Sequence, residues 1–258
     1  MSDPQAGPDG PQETFLSHLI ELRSRLVRAI AAVLVVMLCL FPWAKEIYAV
    51  LAAPLLHALP KGATMIATDV TGTFFVPLKV TLMAAFLLAL PYVLWQAWAF
   101  VAPGLYQHER RLALPVIVSS FVFFLIGMAF AYFLVFPIAF GFFANYTPEG
   151  VTMMTDIDKY LSFVLTMFIA FGITFEVPVI VIVLVRMRMV SLDKLKAIRS
   201  YVIVGAFVVG AIFTPPDVVS QLLLAVPLWL LYEFGILMAR FFVPPLAEDE
   251  TAGQAASR

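Results

Sequence analysis

Charge is what this sequence has least of. Only 13% of its 258 residues are Asp, Glu, Lys or Arg, while 62% are apolar. A soluble domain carries about 25% charged and roughly 45–50% apolar residues. A water-soluble globule of this length is excluded, and an integral membrane protein is implied. Cysteine occurs once, as Cys39 in an apolar run, which rules out an internal disulfide. Histidine occurs three times, and His18, His57 and His108 lack the spacing of a metal site. His108-Glu109-Arg110-Arg111-Leu112 opens like the zinc-protease pattern H-E-x-x-H, but Leu112 stands where the second ligand must be. There is no nucleophile elbow and no phosphate loop. Neither catalysis, nor a cofactor or metal, nor a nucleic-acid partner is expected.

What the chain has in abundance is long uncharged runs. At about 20 apolar residues per spanning helix, it holds material for six. The expected fold is an all-α integral membrane protein, one six-helix domain over residues 13–242 between disordered tails at 1–12 and 243–258. Spans are expected at 27–47, 80–101, 115–137, 160–185, 200–214 and 218–236. Pro91 interrupts the second, and Pro115 and Pro137 bracket the third. The mixed stretch Ile47 to Lys79 reads as short amphipathic pieces at a membrane surface. The fifth and sixth spans, parted by Pro215-Pro216-Asp217, have uncharged runs of only ~14–15 residues. These cover ~21–23 Å of a ~30 Å hydrocarbon core, so the pair is either a helical hairpin that does not fully cross or one that spans by thinning the bilayer or by packing against its neighbours. The 24 phenylalanines suit lipid-facing surfaces.

Charge asymmetry orients six spans. The N-terminal segment, the 107–111 loop, the 186–199 loop and the C-terminus together hold 12 Lys and Arg, against Lys45, Lys61, Lys79 and Lys159 on the other side. The positive-inside rule puts both termini in the cytoplasm.

The carboxylates carry the remaining information. Glu21 and Glu109 sit beside arginines on the cytoplasmic side. Glu21 can pair with Arg25 four residues on, and Glu109 can offset Arg110 and Arg111. Alternatively, both offer bidentate acceptors to a guanidinium-bearing partner. Glu176 lies nine residues before Val185, roughly 14 Å into the membrane, where an ionised carboxylate costs at least ~2.5–3.5 kcal/mol. Pro178 removes a helical hydrogen bond and frees the carbonyl of Thr174, making a polar notch. A neighbouring helix could satisfy Glu176, or a docking or transport role could use it. Asp217 is placed to cap the last helix. Gly127-x-x-x-Ala131 and Ala206-x-x-x-Gly210 permit close helix contacts.

Several stretches together resemble the TatC family of twin-arginine protein translocase subunits. They are His18-Leu-Ile-Glu-Leu-Arg-Ser-Arg-Leu26, Met65-Ile-Ala-Thr-Asp-Val70, Trp98-Ala-Phe-Val-Ala-Pro103 running on to His108-Glu-Arg-Arg111, and Phe175-Glu-Val-Pro178. Val204-Gly-Ala-Phe-Val-Val-Gly210 and Thr214-Pro-Pro-Asp-Val218 complete the set. The resemblance implies a cup-shaped six-helix protein of the bacterial inner membrane. It also implies a receptor for signal peptides bearing two arginines, the core of a machine that exports folded proteins on the proton motive force. By the same resemblance Glu21, Arg23, Phe100, Glu109, Arg110 and Arg111 bind the signal peptide. Glu176, with Pro178 and Asp217, docks the TatA and TatB subunits, and a homo-oligomer forms within the complex. The rival reading is a proton-coupled secondary transporter using Glu176. It requires inverted repeats with matching broken helices, and the two halves differ in span length and lack a counterpart of Glu176.

Overall fold

A computed structural model of the chain describes residues 11–50, 66–101, 113–146 and 154–242. Every regular element among them is helical; the one extended pairing is an isolated parallel bridge between Ile66 and Asp156. The helices are α1 (Pro11–Leu40), α2 (Gly72–Val101), α3 (Ala113–Phe130), α4 (Phe136–Asn145), α5 (Ile157–Phe175), α6 (Val177–Arg186), α7 (Leu192–Ala197), α8 (Arg199–Phe213) and α9 (Val218–Phe242). A π-helical stretch, Ala131–Val135, joins α3 to α4. Among the described residues, five continuous runs are long and apolar enough to cross a membrane: Ser17–Val50, Gly72–Phe100, Leu114–Phe143, Ile157–Arg186 and Val218–Phe241. The sixth apolar helix, α8, has 15 residues, ~22 Å at helical rise.

Four boundaries differ from those read off the sequence, each for an identifiable reason. Helix α1 starts at Pro11, two residues inside the segment read as a tail; a first turn tolerates proline because its N–H groups have no intrahelical acceptor. Helix α2 starts at Gly72 rather than at residue 80, and Gly72 to Lys79 are therefore no surface piece. Lys79 ended the uncharged run, yet its ammonium donates to Asp158 of α5 at 2.6 Å, so the charge has a partner on another helix. Pro137 does not stop the third run. The π-turn just before it, closed by the Phe136 N–H on the Ala131 carbonyl, resets the hydrogen-bond ladder where proline lacks a donor. Helix α9 is not short. It has 25 residues, because Glu233 is met by Arg199 of α8 at 2.6 Å and does not terminate the apolar stretch. Any thinning of the bilayer therefore rests on α8 alone.

The chain divides into two compact units. In the first (1–56, 64–121 and 155–161), α1 packs along α2. Val76, Val80, Met83, Ala85, Ala89 and Leu90 of α2 are buried. The rest of α1 is mostly open, with Val35 and Leu38 more than half exposed, as an apolar helix facing lipid should be. Asp156 ties the start of α2 to the start of α5. It accepts the Thr68 hydroxyl and amide and the amides of Asp158 and Lys159. These bonds, the Thr68 hydroxyl first and the Lys159 amide next, hold its carboxyl down at about 2.

The second unit (57–63, 122–154 and 162–258) is built on aromatic packing. Phe130 with Phe171 and Phe175, and Tyr132 with Phe136, Phe140, Phe163 and Phe168, form two groups of ring contacts with centroids 5.3–6.5 Å apart. Phe124, Phe136, Phe140, Phe168, Phe171 and Phe175 are buried, so a good part of the phenylalanine content fills a protein core instead of facing lipid. Gly127 lets two helices meet backbone to backbone: a Cβ there would lie 2.5 Å from the carbonyl oxygen of Phe171. A second cluster, Val181, Val185, Leu195, Tyr232, Ile236 and Ala239, locks α6, α7 and α9 together. In it the buried Tyr232 hydroxyl donates to the Leu195 carbonyl at 2.8 Å. Helix α7, absent from the sequence reading, begins at Ser191, whose side chain accepts the Lys194 amide.

Candidate functional site

Helix α1 presents His18, Glu21 and Arg25 at spacings of three and four, one stripe of a 3.6-residue helix. Two of the three touch α2. His18 stacks on Phe100, with ring centroids 4.2 Å apart and planes at 17°. Arg25 Nη1 reaches Gln96 Oε1 at 3.5 Å, the limit of a hydrogen bond. Gln96 and Phe100 are themselves one turn apart on α2, so the two contacts clamp the ends of the stripe. Glu21 lies between them.

Arg25 grips Glu21 with two donors on one oxygen. Nε lies 2.9 Å and Nη2 2.6 Å from Oε1. The side chains are 23% and 33% exposed, which leaves the pair in contact with solvent. Among the described residues, Oε2 accepts no hydrogen bond. The pairing anticipated four residues along α1 is therefore made, and the carboxylate already holds a guanidinium. Arg23 is exposed and forms no ion pair among the described residues. Glu109, Arg110 and Arg111 lie outside the described residues.

Glu176 sits at the break between α5 and α6. Its amide donates back to Ile173 at 3.0 Å, and its carbonyl accepts from Ile180 at 2.9 Å, so the chain tightens by one residue just ahead of the buried Pro178. The Glu176 side chain is half-buried, with Oε1 out of solvent contact. Gly235 of α9 approaches the same kink, where an added Cβ would lie 3.0 Å from Pro178 Cα. Asp217 caps α9: its Oδ1 accepts the Ser220 amide at 2.7 Å. In the preceding turn Thr214 donates to the Gly210 carbonyl, and Gln221 Nε2 donates to the Phe207 carbonyl at 3.0 Å.

Within the first unit, then, Glu21 and Phe100 are brought to one helix pair. Sequence reasoning missed His18, set aside for want of metal-ligand spacing, and Gln96. The signal available was the three-four spacing of His18, Glu21 and Arg25, which puts all three on one face.

Comparison with known proteins gives a consistent result. The profile of the family described as Sec-independent protein translocase protein (TatC) matches residues 17–227. The chain is 58% identical over 232 residues to the Sec-independent protein translocase protein TatC of Azotobacter chroococcum, covering 90% of this chain and 91% of that one. It is 55% identical over 231 residues to the protein of the same name from Escherichia coli K12, covering 90% of each. Among solved structures, a crystal structure of the twin arginine translocase receptor TatC superposes with a TM-score of 0.78. It is 40% identical, over 87% of this chain and 98% of that one.

Proposed function

The chain belongs to the TatC family, as a multi-pass membrane component of a protein translocase and not an enzyme; from that premise we propose that it is the receptor for twin-arginine signal peptides. The observation that carries the reading is the Glu21 carboxylate, held between two contacts with α2 and already engaged by a guanidinium. A twin-arginine motif presents two planar, permanently charged forks, and carboxylates are the side chains that accept such a fork bidentately. Glu21 takes one arginine and Glu109 the other. Lysine supplies the charge without the fork, so arginine is preferred. Arg110 and Arg111 keep the Glu109 carboxylate ionised and oriented, Arg23 meets the signal peptide beside Glu21, and the apolar part of the peptide lies along α2 near Phe100.

The rest of the proposal follows the family. The chain places six membrane helices between residues 11 and 242, with both termini in the cytoplasm of a bacterium. TatA and TatB dock at the polar kink of Glu176 and Pro178 and at Asp217. The assembled complex contains several copies of the chain and exports folded proteins on the proton motive force. Proton-coupled transport of a small solute through Glu176 is not favoured, since the relatives are translocase proteins.

The test is binding of a twin-arginine signal peptide, against a twin-lysine control, to the purified protein in nanodiscs. Arginine-dependent binding that weakens with Glu21→Ala and with Glu109→Ala is the expected result. Equal binding of both peptides by folded protein would defeat the receptor reading.

A further inference from the structure

We propose that Arg25 is an internal stand-in for a signal-peptide arginine, occupying Glu21 until peptide binding exchanges one guanidinium for the other. The inference rests on Glu21 being an arginine acceptor, as proposed above, and adds a competitor within the chain itself. Two donors of Arg25 converge on Oε1 at 2.9 and 2.6 Å. A fork-to-fork pair needs both carboxylate oxygens for two parallel bonds. With Oε1 already taken twice, an incoming arginine is left with Oε2 and a single bond. Full bidentate capture therefore requires Arg25 to let go.

The structure also supplies a place for Arg25 to go. Its Nη1 is already 3.5 Å from Gln96 Oε1 on α2, so a small swing of the side chain exchanges a carboxylate for an amide oxygen without stranding the charge in apolar surroundings. Long, solvent-touching arginine stems make such moves at little cost.

An internal competitor has a distinctive signature. It lowers the apparent affinity of a ligand that needs the whole carboxylate by the fraction of time the carboxylate is closed. An ion pair of this exposure is worth up to about 1 kcal/mol, which closes the site enough to weaken binding roughly two- to fivefold. An arginine must displace Arg25 to reach both oxygens, whereas a lysine makes the single bond that Oε2 can already give, so the closed carboxylate weakens arginine peptides more than lysine peptides.

The experiment measures peptide affinity in nanodiscs for Arg25→Met, Arg25→Lys, Glu21→Gln and the double variant Glu21→Gln/Arg25→Lys, each first shown to be monodisperse with an unchanged melting temperature. Exchange predicts tighter binding of the arginine peptide by Arg25→Met, by about two- to fivefold, and a smaller gain for the lysine peptide. Arg25→Lys also tightens binding, since it keeps the charge but loses the fork. The Arg25→Lys gain does not survive in the Glu21→Gln background. A gain with Arg25→Met alone would make the effect one of net charge and overturn the proposal. Weaker binding by both Arg25 variants would overturn it too, by making Arg25 a residue that orients Glu21. Should Glu21→Gln itself bind normally, the acceptor role of Glu21 falls and the exchange with it; in the other failures that role stands.

Discussion

Gly127→Ala adds one methyl group where there is no room for it. The new Cβ would lie 2.5 Å from the Phe171 carbonyl oxygen and 3.0 Å from Phe175 Cβ. Ordinary contact starts near 3.4 Å, so the backbones must part by about 0.9 Å, and a carbonyl oxygen cannot rotate away as a side chain can. Overpacking of this kind costs about 1–3 kcal/mol. Alanine is also a better helix former than glycine by ~0.5–1 kcal/mol, which works the other way. Gly141→Ala removes that ambiguity. It makes the same exchange in α4, where nothing lies within 4 Å of the added Cβ, so the propensity gain cancels in the comparison. Gly127→Ala should then be less stable than Gly141→Ala by about 1–3 kcal/mol. For a chain of this size each kcal/mol moves the melting temperature by ~2–4 °C, giving a gap of roughly 2–12 °C in a thermal melt of the detergent-solubilised protein. A Gly127→Ala melt no lower than that of Gly141→Ala would show that the two backbones are not in contact.

Three further outcomes follow from named contacts. Tyr232→Phe leaves the buried Leu195 carbonyl without its donor and should cost about 1–2 kcal/mol, read as a lower denaturation midpoint; an unchanged midpoint would mean that water replaces the hydroxyl. The Arg199–Glu233 pair, with side chains 45% and 28% exposed, is screened by solvent. A double-mutant cycle with alanine at both positions should return a coupling below about 1 kcal/mol, and a larger value would mean the pair is dry. Asp156 titrates at about 2 against an ordinary 3.8, so its stabilising bonds are fully present above pH 4 and are lost as pH falls through about 2. The stability gap between wild type and Asp156→Asn should therefore be flat from pH 5 to 8 and shrink below pH 3. An equal gap at pH 7 and pH 2 would contradict that sign.

The sequence by itself determined the membrane class, the helical content and the family, because these depend on summed quantities and on contiguous motifs. Uncharged runs long enough to span survive any uncertainty about their ends. The Glu21–Arg25 pair was legible for the same local reason: residues four apart on one helix are neighbours whatever surrounds them. The capping of α9 by Asp217 was legible too, since a cap acts on the amides next to it in sequence.

Tertiary structure decided everything that depends on a partner distant in the chain. Lys79 and Glu233 marked the ends of apolar runs to the eye, but Asp158 and Arg199 neutralise them, and the helices run on. Pro137 is passed by a π-turn, and the rings of Phe136 and Phe171 turn to a core and not to lipid. The spacing of His18 puts it on the face of Glu21 and Arg25, but its ring partner, Phe100, lies 82 residues away and is set by the fold. A charge, a proline or a ring has no fixed meaning in a sequence, because its free energy is set by what desolvates or pairs it, and only the fold chooses that neighbour.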